Sequence, residues 1–171
     1  CIEGGAKISG EIKINGNKNA ALPMIAACLL TDEEVTLRNV PDIIDVNVML
    51  QAAAELGADV SFSDNTLRIK AANFKTTDIS HELSSRIRTT MLCCAPLLVR
   101  CGKASLWPPG GDVIGRRRLD AHFYGLHGLG ATIEADELPF RFSAAERFKG
   151  KDLFLDEASV TATEHIMMAA V

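Results

Sequence analysis

The sequence predicts an α/β fold made of repeated units that pack around shared helices. Two apolar runs of helical character, LPMIAACLL (22–30) and MLCCAPLLV (91–99), stand 69 positions apart. Each run leads into a short strand-like segment that ends in proline, and an amphipathic helical pattern follows each segment. Because such a unit cannot bury its apolar face alone, the copies are expected to share one core.

The amphipathic helices of the two copies are predicted to end in the same way. Each closes on the tripeptide Leu-Gly-Ala, at 56–58 and 129–131, where the glycine suits a left-handed helix end. The residues that face the core recur at helical spacing. They are Val46, Met49, Ala53 and Leu56 in the first copy, and Leu119, Phe123, Leu126 and Leu129 in the second.

A β-hairpin is predicted after each Leu-Gly-Ala. Apolar and polar residues alternate around a Ser-Asp-Asn turn in DVSFSDNTLRIKA (59–71), and TIEADELPFRFSA (132–144) repeats the pattern. The unit is therefore helix, strand, helix, strand, strand, and it occurs twice. A third copy is expected to begin in KDLFLDEASVTATEHIMMAAV (151–171), where Met167 and Met168, like Met91, are assigned to the core.

The composition is that of a globular chain long enough to bury a core, with 47% hydrophobic residues and a net charge of −4. The acidic balance argues against general nucleic-acid binding, and no apolar run approaches the roughly 20 residues that span a bilayer. The five cysteines lack metal-ligand spacing and favour a reducing cytoplasm. A start without methionine and an end within an apolar helical run predict a piece of a longer protein.

The segment WPPGGDVIGRRRLDAH (107–122) is the candidate functional loop. Matching residues of the two copies are 69 positions apart in sequence before this segment and 73 apart after it. Four residues are therefore inserted in the second copy. Such an insertion is either a harmless surface feature or a place where function is added to the scaffold. Asp112 is either an ion-pair partner of the nearby arginines or a proton donor or acceptor beside a ligand.

Basic residues stand at the starts of the apolar helices, where the helix dipole disfavours them. Lys18 comes just ahead of the first helix, with Asn19 as the expected cap. Arg86 and Arg88 fall in the first turns of the second, for which Ser84 or Ser85 is the expected cap. Backbone N–H groups at a helix start and an added basic side chain together make an anion site.

Three consecutive arginines, Arg116 to Arg118, precede the next helix. Taken alone, Arg86 is expected to lie in solvent. Together with Lys18 and Arg88, the run predicts convergence on a phosphate or carboxylate ligand, because a guanidinium can grip either group with two hydrogen bonds.

The motifs GGAKISGEIKINGNKNAALPMIAACLL, NVPDIIDVNVMLQAAAELGA, IRTTMLCCAPLLVRCGKASLWPPGGDVIGRRRLDAHFYGLHGLGA and SVTATEHIMMAA make the chain resemble the UDP-N-acetylglucosamine 1-carboxyvinyltransferases, a family of enolpyruvyl transferases. The likeness covers essentially all 171 residues. It implies an inside-out α/β barrel of repeated βαβαββ units in each of two lobes. Residues 1–17 would form a strand segment of the other lobe, and 18–171 one lobe with two complete units and the start of a third.

The resemblance also implies an activity. The enolpyruvyl group of phosphoenolpyruvate would move to the 3-hydroxyl of UDP-N-acetylglucosamine by addition and elimination, releasing phosphate, in the first committed step of peptidoglycan synthesis. It implies no metal or organic cofactor, no nucleic acid and no membrane insertion, and the second lobe of the same enzyme as a partner. The alternatives are a 5-enolpyruvylshikimate-3-phosphate synthase-like transferase, against which GNKNAALP (16–23) argues, and a nucleotide-sugar-binding paralogue without turnover.

Site residues follow from the resemblance position by position. The implied catalytic residues are Lys18, Asp112 and Arg117, and the implied substrate-binding residues are Asn19, Arg88, Asp120, Ser159 and Val160. Within these sets, Lys18 and Asn19 would meet phosphoenolpyruvate and the sugar, and Arg88 and Arg117 the phosphate and carboxylate. Asp120 would contact uridine, and Ser159 and Val160 the diphosphate.

The sequence departs from the family pattern in and after the loop. Asp112 replaces the usual loop cysteine, which retains an acid but removes the thiol that the epoxide fosfomycin alkylates. Arg118 stands where proline is frequent, and Glu157 and Thr161 stand where a basic residue and glycine are common. Among the histidines, only His122 lies close enough to the loop to be considered for chemistry, and the others are assigned to packing or the surface.

Overall fold

The order of elements expected from the sequence is present twice in the computed structural model, which describes residues 1–5, 7–111, 118–145 and 147–171. The first copy contains α1 (Lys18–Ala27), a 3₁₀ turn (Cys28–Leu30), β1 (Glu34–Arg38), α2 (Ile44–Leu56), β2 (Asp59–Ser63) and β3 (Thr66–Lys70). A short strand β4 (Asp78–Ile79) and one helical turn α3 (His81–Ser84) come next. The second copy contains a 3₁₀ helix (Arg88–Cys93), α4 (Cys94–Cys101), β5 (Lys103–Leu106), α5 (Asp120–Leu129), β6 (Thr132–Glu134) and β7 (Phe140–Ser143), and α6 (Val160–Ala170) follows.

The strands form two sheets, and three strands of the second sheet repeat the strand order of the first. In the first sheet the order is β1-β3-β2, and both pairs are antiparallel. In the second the order is β4-β5-β7-β6, with β4 parallel to β5 and the other pairs antiparallel. Since β4 precedes the helix of the second copy, that copy is a complete βαβαββ unit.

The sequence signals for turns and helix ends are confirmed at four residues. Gly57 and Gly130 end α2 and α5 with φ of 113° and 115°, the left-handed conformation that glycine adopts without strain. Asp64 and Asn65 form the hairpin turn with positive φ values of 49° and 56°. Positive φ at both central residues matches the twist of the two flanking strands.

The core lies between the sheets and consists mainly of helices. The helix α1 packs against α2, α6 and the 3₁₀ helix, and α4 packs against α6. Ile25, Leu92 and Leu97 are fully buried there, and the predicted core faces of α2 and α5 point inward, although Phe123 and Leu119 remain partly exposed. The core assignment was wrong for Met167, which is 65% exposed, whereas Met91 and Met168 are buried.

Arg100 in the last turn of α4 fastens the first copy to the second. Its guanidinium donates to the carbonyl oxygens of Leu29, Thr31, Ala71 and Ala72 at distances of 2.5 to 3.2 Å. It also lies over the ring of Phe74, 4.8 Å from the ring centre. One half-buried side chain therefore hydrogen-bonds both the end of the 3₁₀ turn and the residues that follow β3.

The segment ahead of α1 has no helix or strand among residues 1–5 and 7–17. Its isoleucines at positions 2, 8, 12 and 14 are at least 84% exposed. The assignment of this segment to another lobe stays a prediction. Over the described ranges, no helix is both long and apolar enough to cross a membrane.

Candidate substrate site

The start of α1 places Lys18 beside α2. The cap is Asn17, whose side-chain oxygen accepts from the N–H of Ala20 at 3.1 Å, so the prediction that Asn19 caps the helix was wrong. Lys18 is the first helical residue and Asn19 the second, and both are exposed. The Lys18 ammonium lies 3.3 Å from the carboxylate of Asp45 in the first turn of α2.

Arg88 is the first residue of the 3₁₀ helix in the second copy, as the sequence placed it near a helix start. The prediction that Ser84 or Ser85 caps this helix was wrong. Both residues lie at the end of the short helix α3, which Ser80 caps. Ile87 therefore precedes the 3₁₀ helix without a side-chain cap bond. Arg86 lies on the surface as predicted, where it donates to the side-chain oxygen of Gln51 at 2.9 Å.

Ser84 holds the near flank of the candidate loop, and Arg88 holds the far flank. On the near flank, the N–H of Gly110 donates to the Ser84 carbonyl at 2.9 Å, and a Cβ added at Gly111 would lie 3.4 Å from the nitrogen of Arg88. On the far flank, the Arg88 guanidinium donates to the carbonyl of Arg118 at 2.6 Å. Asp112, Arg116 and Arg117 lie outside the described residues.

Asp120 is the first residue of α5 and faces two open clefts. Its carboxylate lies 3.7 Å from the guanidinium of Arg118, and both side chains are largely exposed. One cleft, of about 420 Å³, is lined by Arg88, Pro108 and Phe123, and the other, of about 350 Å³, by Tyr124 and Glu157 among others. An acid at a helix start is favoured by the dipole, so Asp120 is stable there without a buried partner.

The start of α6 offers hydrogen-bond donors. Ser159 caps the helix by accepting from the N–H of Ala162 at 3.3 Å, and Val160 is the first helical residue, 74% exposed. The first N–H groups of a helix have no partner inside it and attract anions. The two residues assigned to the diphosphate are therefore placed where an anion is favoured.

A buried histidine pair joins the first turn of α5 to the middle of α6. His122 Nδ1 lies 3.1 Å from His165 Nδ1, and Thr161 Oγ1 lies 3.3 Å from His122 Nε2. The helices approach closely at Gly125, where a Cβ would collide with the side chain of Ile166. Burial lowers the pKa of His122 from 6.5 to about 4, with a smaller contribution from the charge of Arg88. Burial also lowers the pKa of His165 well below its ordinary value, followed by the effect of His122.

Arg88 and Asp120 line the same cleft, and the contact between His122 and Thr161 brings the start of α6, with Ser159 and Val160, close to α5. The helix α1, which begins at Lys18, packs against both α6 and the 3₁₀ helix. Sequence reasoning missed the pairing of His122 with His165. The two residues are 43 positions apart, and no local pattern marks such a pair.

Among the residues that the structure describes, metal ligands are not clustered and the buried thiols are held protonated. No group of three His, Cys, Asp or Glu side chains is placed to hold a metal ion there. The cysteines are free, and burial raises the pKa of Cys28 to about 11 and that of Cys93 to about 12. Thiols with such pKa values stay protonated at neutral pH and behave as small apolar side chains.

Comparison with known proteins decides the family. The family described as EPSP synthase (3-phosphoshikimate 1-carboxyvinyltransferase) matches residues 2–171. The chain belongs to the EPSP synthase family. Similar family members include UDP-N-acetylglucosamine 1-carboxyvinyltransferases from Borreliella burgdorferi, 51% identical over 170 residues, and from Bradyrhizobium diazoefficiens, 51% identical over 172 residues. Each alignment covers 99% of this chain, but only 40% and 39% of the respective relative, so the chain spans about two fifths of their length.

Solved structures of the EPSP synthase family share the fold. The enolpyruvyl transferase NikO from Streptomyces tendae superposes with a TM-score of 0.70 over 83% of this chain and 31% of its own, at 21% identity. An EPSP synthase from Acinetobacter baumannii gives 0.72 over 94% of this chain and 37% of its own, at 15% identity. The predicted α/β fold of the enolpyruvyl transferase type is thereby confirmed.

Proposed function

We propose that this chain forms one lobe of an enolpyruvyl transferase that acts on phosphoenolpyruvate and UDP-N-acetylglucosamine. Residues 1–17 would add a strand to the other lobe, and residues 18–171 would supply two repeat units and the start of a third. The reaction, the first committed step of peptidoglycan synthesis, requires no metal or organic cofactor. It would take place in the cytoplasm, which suits a chain with free cysteines.

The observation that carries the proposal is the gathering of helix starts around the histidine pair. Arg88 begins one helix, Asp120 begins another and lines the same cleft as Arg88, and Ser159 caps a third helix, whose Thr161 reaches His122. At Arg88 a neutral residue would serve a purely structural role at least equally well, because the dipole disfavours a cation at a helix start. The names of relatives 51% identical to this chain identify the acceptor that the proposal adopts.

The cations are proposed to hold the donor substrate. Arg88 and Arg117 would bind the phosphate and carboxylate of phosphoenolpyruvate, and Lys18 would meet the developing charge between the two substrates. Guanidinium groups suit these roles because their planar donors match both anions. Fixed positive charges of this kind stabilise a transition state without reorganising.

The chemistry is an addition followed by an elimination. Asp112, in its protonated form, would give a proton to the methylene carbon of phosphoenolpyruvate while the 3-hydroxyl oxygen bonds to the adjacent carbon and loses its own proton. The carbon–oxygen bond to phosphate then breaks, and the hydroxyl proton leaves with the phosphate. The new methyl group returns a proton to the Asp112 carboxylate, which restores the double bond. The products are phosphate and the enolpyruvyl ether of the acceptor.

The acceptor is proposed to lie along the starts of α5 and α6. Asp120 would contact the uridine from its exposed position between the two clefts. Ser159 would hold the diphosphate with its hydroxyl, and Val160 with its N–H group at the start of α6.

Phosphate release by the full-length protein tests this function. Release from phosphoenolpyruvate is expected with UDP-N-acetylglucosamine and not with shikimate 3-phosphate. Release with shikimate 3-phosphate alone would assign the chain to the other acceptor. Binding of UDP-N-acetylglucosamine in calorimetry without any release would make the protein a nucleotide-sugar-binding paralogue, and the proposed transferase would be wrong.

Substitutions at Asp112 test the acid. Asp112→Asn is expected to lower kcat by about 10² or more, the range of general acid catalysis. Asp112→Cys is expected to retain turnover and to become sensitive to fosfomycin, whereas the natural protein is expected to be insensitive. A covalent fosfomycin adduct on Asp112, seen by mass spectrometry, contradicts this reading.

A further inference from the structure

The hydrogen bonds between α5 and α6 form a chain of three polar side chains. Thr161 Oγ1 lies 3.3 Å from His122 Nε2, and His122 Nδ1 lies 3.1 Å from His165 Nδ1. His122 is 1% exposed and His165 is fully buried. The remaining ring nitrogen of His165, Nε2, is buried with no hydrogen-bond partner within the described part of the chain.

The unpartnered nitrogen of His165 determines which way the protons point along this row of hydrogen bonds. Both rings are neutral, so each carries one N–H and one lone pair. If His122 donated to His165, the only N–H of His165 would lie on Nε2, buried without an acceptor. Buried N–H groups without acceptors are rarer in proteins than acceptors left unused, which favours the opposite direction.

In the favoured direction, each histidine donates toward Thr161. His165 Nδ1–H donates to His122 Nδ1, and His122 Nε2–H then donates to the hydroxyl oxygen of Thr161. The Thr161 hydroxyl proton is consequently not used by His122, which is its one hydrogen-bond partner among the described residues. Thr161 is half-buried as the second residue of α6, next to the N–H group proposed to hold the diphosphate.

We propose that Thr161 donates its hydroxyl proton to the diphosphate of the acceptor, and that His165 positions it through His122. This assignment rests on the proposed function. It gives Thr161, a residue at a position where the family commonly has glycine, a direct binding role. His165 is a positioning residue that touches neither substrate.

Variants of the full-length protein separate a donor from a structural group. Thr161→Val keeps the shape of the side chain but removes the hydroxyl. It is expected to raise the KM for UDP-N-acetylglucosamine about tenfold, a typical loss for a hydrogen bond to a charged group, without changing kcat or the KM for phosphoenolpyruvate. Thr161→Ser, the matched control, is expected to behave as the natural protein.

Two variants of His165 test the positioning. His165→Leu is expected to raise the same KM, whereas His165→Asn, which retains an N–H near the place of Nδ1, is expected to restore it. The double variant Thr161→Val with His165→Leu is expected to have the same KM as Thr161→Val alone, because both changes remove the same hydrogen bond to the diphosphate. Additive effects contradict the positioning role, and an unchanged KM in Thr161→Val contradicts the donor role.

The tautomer can be read without any turnover. Nitrogen NMR of the natural full-length protein is expected to find the proton of His165 on Nδ1, and a proton on Nε2 overturns the inference whether or not the protein is active. Absence of phosphate release from the natural protein, in contrast, counts against the proposed function. The NMR result also decides the matter if His165→Leu fails to fold.

Discussion

The ammonium of Lys18 lies 3.3 Å from the carboxylate of Asp45, so the first residue of α1 rests against the first turn of α2. The side chains are 48% and 35% exposed, and pairs of this kind contribute at most about 1 kcal/mol to stability. Asp45 therefore holds the Lys18 side chain at the starts of α1 and α2, but the fold does not depend on this ion pair. Lys18 can be replaced to test function with little effect on folding.

Lys18→Met in the full-length protein is expected to lower kcat/KM for phosphoenolpyruvate by about 10² or more, because a preorganised charge at the reacting phosphate is worth that much. The free energy of unfolding, from urea titration, is expected to change by less than about 1 kcal/mol. Asp45→Asn serves as the control for loss of the ion pair alone. If Lys18→Met retains full turnover, Lys18 does not meet the substrates.

Arg100 is expected to be the most sensitive basic residue for stability. Arg100→Ala removes donors to four carbonyl oxygens and the contact with Phe74, and is expected to lower the free energy of unfolding by about 2–4 kcal/mol. Arg68→Ala, an exposed arginine on β3, is expected to change it by less than about 0.5 kcal/mol. Urea titration of both variants measures the difference, and equal values contradict this role of Arg100.

Stability is expected to fall in acid because of the histidine pair. The pKa of His122 is about 4 in the folded protein and 6.5 when unperturbed, so the unfolded chain takes up a proton first as the pH falls. The free energy of unfolding should therefore be fully retained above pH 6.5 and decrease towards pH 4, by about 1.4 kcal/mol per pH unit for each histidine kept neutral.

Urea titrations at several pH values between 7 and 4 measure this slope. His165→Asn removes one of the two titrating groups and is expected to reduce it. His127→Gln, a change at an exposed histidine outside the pair, is expected to leave it unaltered. A slope that His165→Asn leaves unchanged shows that other groups govern the acid sensitivity.

The near flank of the loop is expected to tolerate no side chain at Gly110. A Cβ there would collide with the carbonyl of Ser85, so Gly110→Ala must move the flank away from Ser85. Turnover is expected to fall at least about tenfold, since displacement of a positioned group by about 1 Å can cost more than that. Gly150→Ala is the matched control, because open space surrounds that glycine. Equal activity of the two variants contradicts the importance of this contact.

Local patterns in the sequence predicted the local structure well. The repeated Leu-Gly-Ala marked both left-handed helix ends, at Gly57 and Gly130, and the Asp64-Asn65 turn was marked by its residue types. The cap assignments failed at Asn19 and at Ser84 or Ser85. Several polar residues stand within one turn of each helix start, and only the path of the chain decides which of them caps.

The site was predictable in part, through charge at helix starts. That reasoning found Lys18 and Arg88, which do begin helices. It could not find Asp45 as the partner of Lys18 or His165 as the partner of His122, because both contacts join helices that are distant in sequence. Such contacts depend on how the repeats pack, and hydrophobic periodicity does not specify which polar groups meet there.

The Arg88 guanidinium donates to the carbonyl of Arg118, directly after the segment 112–117. An anion that draws the guanidinium towards itself must either carry the Arg118 backbone along or break that bond. Capture of a ligand and the path of the chain leading into α5 are thus mechanically linked through one side chain. Lysine in its place would keep the charge but, with a single terminal nitrogen, would lose the fork that serves both tasks.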